Sequence, residues 1–136
     1  MGDETDVSPG KSAKPRVLIV EDEIVVALFL EDVLDEFGYQ VAGVVTQLDD
    51  AMARDQDYDI ALLDVHINGR NVFDFADMLA VRGIPFVFAT GYGDSKFAPR
   101  GFDAPLIKKP YDVTQVAAAL AEITGRATRR EPITAA

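Results

Sequence analysis

Apolar residues fall along this chain in two alternating rhythms. Short continuous apolar runs read as strands buried on both faces, and longer stretches with apolar residues three and four apart read as amphipathic helices. The densest run is Ile60-Ala61-Leu62-Leu63, and it ends in Asp64. A carboxylate inside such a core is costly unless it is paired or metal-bound. The pattern therefore puts Asp64 at the C-terminal tip of the strand, with Val65 to Arg70 as a loop beyond it.

The other elements follow in chain order. Arg16 to Val20 is a first strand running into Glu21-Asp22-Glu23. Val26, Phe29, Leu30, Val33, Leu34 and Phe37 mark a helix that Gly38 stops. Gln40 to Val45 is a second strand, and Thr46 is placed to cap a short helix carrying Leu48, Ala51 and Met52. After the central strand, Val72, Phe75, Ala76 and Leu79 line one face of a helix ended by Gly83. Ile84 to Ala89 is a fourth strand that ends in Thr90-Gly91. From Tyr92 to Ala104 the rhythm calls for a helix, but Gly93, Pro99 and Gly101 interrupt it, so one or two helical turns are the most expected there. Pro105 to Lys109 is a short fifth strand. Asp112 caps a last helix with Val113, Val116, Ala117, Leu120 and Ile123 inward, stopped by Gly125. Five strands alternating with helices imply an α/β fold with a parallel sheet covered on both faces. Residues 1–15 read as a disordered arm, 16–125 as one domain, and 126–136 as a C-terminal tail.

Composition narrows the function classes. Of 136 residues, 13 are Lys or Arg and 23 are Asp or Glu, a formal charge of −10 that argues against a nucleic-acid binder. Cysteine is absent, which removes disulfides, zinc-thiolate sites and a thiol nucleophile. No apolar stretch approaches the roughly 18 to 20 residues of a membrane span, and the N-terminus lacks a signal-peptide core. A cytoplasmic protein without membrane contact is the expectation.

Parallel sheets of this kind bind ligands at the carboxyl ends of their strands. Five polar residues collect at those ends: Glu21 and Asp22 on the first strand, Asp64 on the third, Thr90 on the fourth, Lys109 on the fifth. Each has an ordinary alternative. Asp22 could cap a helix, Thr90 could satisfy a turn, and Lys109 could be solvated, with Lys108 competing for its place. Asp64 is harder to explain, because ending a strand does not require an acid. Three neighbouring carboxylates repel one another, and Mg²⁺ with oxygen ligands relieves that. One carboxylate can then attack phosphorus to give an aspartyl-phosphate, with Lys109 and Thr90 placed to meet the phosphoryl oxygens and Gly91 leaving room beside them. His66 reads as structural in its side chain, since a lone His makes a poor metal site.

With these residues in place, the chain resembles the receiver domain of two-component response regulators over about Arg16 to Gly125. The resemblance rests on Val17-Leu18-Ile19-Val20-Glu21-Asp22-Glu23, Leu62-Leu63-Asp64, Phe88-Ala89-Thr90-Gly91 and Lys109-Pro110. It implies a flavodoxin-like doubly wound sheet of order 2-1-3-4-5, here with a short or irregular fourth helix. It also implies Asp64 as the phosphoacceptor, Mg²⁺ held by Glu21, Asp22, Asp64 and the His66 backbone carbonyl, phosphoryl binding by Thr90 and Lys109, and a Lys109-Pro110 bond that is often cis. The implied partners are a histidine kinase or a histidine phosphotransfer protein, and an unknown downstream protein. Two departures are Ile107, where receivers usually carry a switch Tyr or Phe, and the poor fourth helix. With Pro85-Phe86-Val87-Phe88-Ala89-Thr90-Gly91-Tyr92, both resemble the stand-alone FAT GUY receivers, typically served by HWE or HisKA2-type kinases. Ile107 has no ring to rotate, and the available aromatic is Tyr92, two residues after Thr90 on the same loop, so Thr90 and Tyr92 are expected to take the switch role. A different class, a Mg²⁺-dependent phosphatase using the same aspartyl-phosphate, usually carries a second Asp two residues after the nucleophile, where this chain has His66.

Overall fold

The computed structural model describes residues 14–91 and 101–135, the last ten of these as backbone. Eleven elements follow one another: β1 (Arg16–Val20), α1 (Ile24–Glu36), β2 (Gln40–Val45), α2 (Leu48–Ala53), β3 (Ile60–Asp64), β4 (His66–Ile67), β5 (Arg70–Asn71), α3 (Phe73–Arg82), β6 (Phe86–Thr90), β7 (Leu106–Lys108) and α4 (Val113–Ala135). Five strands form one parallel sheet in the order β2-β1-β3-β6-β7. With the small β4–β5 pair set aside, this is the doubly wound order 2-1-3-4-5.

Side-chain alternation divides the core into two layers. Leu18, Val20, Ala61, Leu63, Phe86 and Phe88 face α2 and α3. Val17, Ile19, Ile60, Leu62, Val87 and Ala89 face α1 and α4. Strands buried on both sides carry only apolar residues between their ends, which is why the apolar runs of β1, β3 and β6 are continuous. Burying each Leu or Ile contributes about 1.5–3 kcal/mol, so the register that holds Asp64 at the end of β3 is strongly determined.

Several local expectations need correction. On α1 the buried residues are Ala27, Leu30, Val33 and Leu34, while Phe29 and Phe37 are exposed. Ile24, Val25 and Leu28 are exposed as well. This helix is apolar around much of its circumference, so spacing alone does not choose the buried arc. The N-cap of α2 is Gln47 with no side-chain cap, not Thr46. Asp49 and Asp50 in its first turn favour the positive end of the helix instead. On α4 the buried residues are Val116, Ala119, Leu120 and Ile123, with Val113 exposed. Gly125 does not stop α4, which continues to Ala135. A single mid-helix Gly costs only about 1 kcal/mol relative to Ala, and the arginines and alanine that follow are good helix formers. Other signals held: Gly83 closes α3 in the left-handed conformation, and the Asp112 carboxylate accepts from the N–H groups of Thr114 and Gln115.

The stretch from Val65 to Arg70, read as a loop, contains a two-residue hairpin turn between β4 and β5. Asn68 and Gly69 both have positive φ, 52° and 81°, as a type I′ turn requires. The Asn-Gly pair was the available signal for it. The interrupted fourth helix falls mostly on residues 92–100, and the N-terminal arm mostly on 1–13, both outside the described residues. Just after the first of these, Phe102 packs with Phe73, Phe86 and Phe88 at ring separations of 5.5–5.9 Å.

Candidate functional site

The carboxyl ends of β1, β3, β6 and β7 bring Glu21, Asp22, Asp64, Thr90 and Lys109 to one edge of the sheet. Asp64 is the last residue of β3 and is 5% exposed. Its neighbour Val65 continues the backbone pairing through an N–H bond to the Ala89 carbonyl at 2.8 Å. Lys109 is tied to the same edge by its own N–H, which donates to the Thr90 carbonyl at 2.8 Å. The Lys109–Pro110 bond is cis.

Lys109 is the hub of the cluster. Its Nζ donates to Asp64 Oδ2 at 3.0 Å, to the Glu21 carboxylate at 3.2 Å and to Glu23 Oε1 at 3.4 Å. Burial works against the Lys109 ammonium, but Asp64 and Glu21 outweigh it and raise its pKa. Glu21 is buried, and that burial, followed by the charge of Asp64, pushes its carboxyl up to about 7. Asp22 is not a helix cap: the N-cap of α1 is Glu23. Instead, Asp22 Oδ2 accepts the Asn68 N–H at 2.7 Å. His66 opens β4 beside Asp64, with its N–H 3.4 Å from Asp64 Oδ1. Thr90 is buried, and its Oγ1 has no hydrogen-bond partner among the described residues. A buried hydroxyl without a partner is costly. A Cβ added at Gly91 would meet Lys109 Cδ at an ordinary 3.6 Å, so among the described residues this glycine is not sterically required.

The site also holds residues that the pattern did not single out. Glu23 is an additional carboxylate on Lys109. The Tyr111 hydroxyl lies 3.5 Å from Glu21 Oε1, and its ring stacks on Phe29 at 6.5 Å. Burial, then the charges of Glu21 and Asp64, raise its pKa, so it stays a neutral donor. Glu23 follows Asp22 and closes the Glu21-Asp22-Glu23 run, and Tyr111 lies two residues after Lys109; that closeness in sequence was the signal available for a part in the site. Tyr92 lies outside the described residues. Ile107 is buried on the α1 and α4 side as an ordinary core residue.

Glu21, Asp22 and Asp64 each present an oxygen, and these atoms lie within 4.8 Å of one another. An all-oxygen set of this charge fits a hard divalent cation such as Mg²⁺. The raised Glu21 carboxyl is consistent, since a cation would relieve the repulsion from Asp64.

The sequence profile of the response regulator receiver domain matches residues 17–121. The chain belongs to this family. Among solved structures, the receiver is similar to SdrG from Sphingomonas melonis Fr1, at 42% identity and a TM-score of 0.71, covering 81% of this chain and 96% of that one. The BeF3-activated conformation of SdrG matches at 42% identity with a TM-score of 0.70, covering 82% and 98%. Curated relatives include the transcriptional regulatory protein PdtaR of Mycobacterium tuberculosis, 29% identical over 77% of this chain and 54% of that protein. The sensory transduction protein LytT of Bacillus subtilis is 34% identical over 74% of this chain and 44% of its own length. The chain thus spans about half the length of the curated relatives it matches. The receiver fold, the response regulator family and its place in two-component signalling are therefore established for this chain. Among the described residues, no helix is long and apolar enough to cross a membrane.

Proposed function

We propose that this receiver accepts a phosphoryl group on Asp64 from a phosphohistidine of a histidine kinase or phosphotransfer protein, and signals by protein–protein contact. The observation that carries the reading is the pairing of Asp64 with Lys109 at 3.0 Å, with a buried Thr90 hydroxyl on the next strand that has no partner among the described residues. An Asp64 oxygen forms the bond to phosphorus as the P–N bond of the phosphohistidine breaks. The electron pair and a proton from solvent then go to the imidazole. Lys109 stays on the rim as a fixed positive charge for the phosphoryl oxygens, and Thr90 supplies a hydroxyl donor. Glu21, Asp22, Asp64 and the His66 carbonyl would hold Mg²⁺, which when bound neutralises charge developing on the phosphoryl oxygens. The chain then acts as a signalling module rather than as an enzyme on free substrates. The domain proper is residues 16–125. The FAT GUY sub-family, and with it an HWE or HisKA2-type donor, is the finer assignment supported by Ile107 and the Phe88-Ala89-Thr90-Gly91-Tyr92 run.

The donor has to approach over the rim. An apolar groove of about 460 Å³ opens there, lined by Val25, Val26, Phe29, Gly91, Lys109 and Tyr111 among others. Its walls come from α1 and the turn after Lys109, and its charged residues, Glu23 and Lys109, belong to the site.

The test is incubation with acetyl phosphate and Mg²⁺, read by phosphate-affinity gel and intact mass. The expected result is a single phosphoryl adduct that is absent in Asp64→Asn. No adduct would overturn phosphoacceptance, and rapid turnover of assorted phosphoesters would point to a phosphatase.

A further inference from the structure

The β4–β5 hairpin joins three loops at the site edge. Ile67 is fully buried and anchors it in the core. Asn68 Nδ2 donates to the Thr46 carbonyl at 3.0 Å, fastening the turn to the loop after β2. Arg70 pairs with Asp49 at 3.1 Å, an exposed contact that adds little. The left-handed conformation of Asn68 directs its main-chain N–H at Asp22 Oδ2, 2.7 Å away. An N–H to carboxylate bond of this length is charge-assisted and strong. Lys109 reaches Glu21, Glu23 and Asp64, and among the described residues Asp22 has only the Asn68 N–H.

We propose that Asn68 is a positioning residue for the cation site: the hairpin turn commits one Asp22 oxygen to the Asn68 N–H and so presents the other to the metal. The role rests on the Mg²⁺ reading given above. Asn suits the position twice. It tolerates positive φ better than most side chains do, and its amide holds the turn in place through Thr46. Proline would remove the N–H and cannot adopt positive φ. Glycine would keep both the N–H and the turn, losing only the Thr46 bond.

Isothermal calorimetry of MgCl₂ binding to the full chain, with ¹⁵N–¹H spectra as a folding check, separates the possibilities. Outer-shell partners of metal ligands typically matter by about 10- to 100-fold in affinity, so Asn68→Pro is expected to weaken Mg²⁺ binding at least about 10-fold. Asn68→Gly should stay within about threefold of wild type, as expected for loss of one neutral hydrogen bond remote from the metal. In metal-free protein, Asp22→Ala should shift the Asn68 amide upfield and speed its exchange, a readout that holds even where the proline variant unfolds. A folded Asn68→Pro protein with wild-type affinity, an equal loss in Asn68→Gly, or an Asn68 amide indifferent to Asp22→Ala overturns the assignment. Wild-type protein that binds no Mg²⁺ overturns the metal reading itself, and the positioning role with it.

Discussion

Lys109 Nζ lies 3.0 Å from Asp64 Oδ2, joining two strand ends that are 45 residues apart in sequence. The same ammonium reaches Glu21, so one cation compensates carboxylates that a divalent metal would also compensate. Lys109→Met should therefore lower the melting temperature in EDTA at pH 8. It should also enlarge the stabilisation gained on adding Mg²⁺, because breaking a buried ion pair leaves an uncompensated charge. Thermal melts with and without Mg²⁺ check this, and equal Mg²⁺ gains in mutant and wild type would refute the competition.

Asp64→Asn keeps the size of the side chain and removes both the nucleophile and one negative charge. Labelling by acetyl phosphate should fall to background with the fold intact. The variant should also release Glu21 from part of its repulsion, so the Glu21 carboxyl should titrate lower. Carboxyl-carbon NMR of Glu21 in the two proteins gives the comparison, and an unmoved titration would argue against coupling across the site.

Glu21 makes stability depend on pH. Its carboxyl is raised from 4.5 in the unfolded chain to about 7 in the folded one. Below pH 4.5 both states hold the proton and the contribution is complete. Between 4.5 and about 7 only the folded state holds it, so stability falls as pH rises, by about 3 kcal/mol at most. Urea melts in EDTA from pH 5 to 8 should show this slope, and Glu21→Gln should flatten it. A slope unchanged in Glu21→Gln would assign the effect to other groups.

Thr90 should trade stability for function. Its hydroxyl is buried without a partner among the described residues. Removing such a group costs little and can stabilise, within about 1 kcal/mol. Thr90→Ala is thus expected to melt at or slightly above wild type. It should also lose the spectral response of the receiver to beryllofluoride, which Thr90→Ser retains. A large drop in melting temperature for Thr90→Ala would show that the hydroxyl is already satisfied in the resting state.

Much of this receiver was legible in the residue pattern, because apolar burial is periodic and long-lived along the chain. Strands buried on both faces must be continuous apolar runs, and a charged residue can only stand where such a run leaves the core. Asp64 and Glu21 were placed at their strand tips on that ground, whereas Thr90 is uncharged and Lys108 competed with Lys109 until the Lys109-Pro110 motif chose between them. The Asn68-Gly69 pair carried a hairpin signal as well, although a two-residue strand on each side is too short to show alternation. Other features came only with the tertiary structure. Which arc of α1 is buried depends on what the sheet offers, since Ile24, Val25, Leu28 and Phe29 match the core residues in character and remain outside. The helix end at Gly125 was a local signal that its neighbours override. The contacts that define the site, Lys109 with Asp64 and Asn68 with Asp22, join residues 45 and 46 positions apart. No periodicity encodes such pairs: they arise when strand order and crossover handedness bring separate loops to one edge, where electrostatics acts over a few ångströms of space and not along the chain.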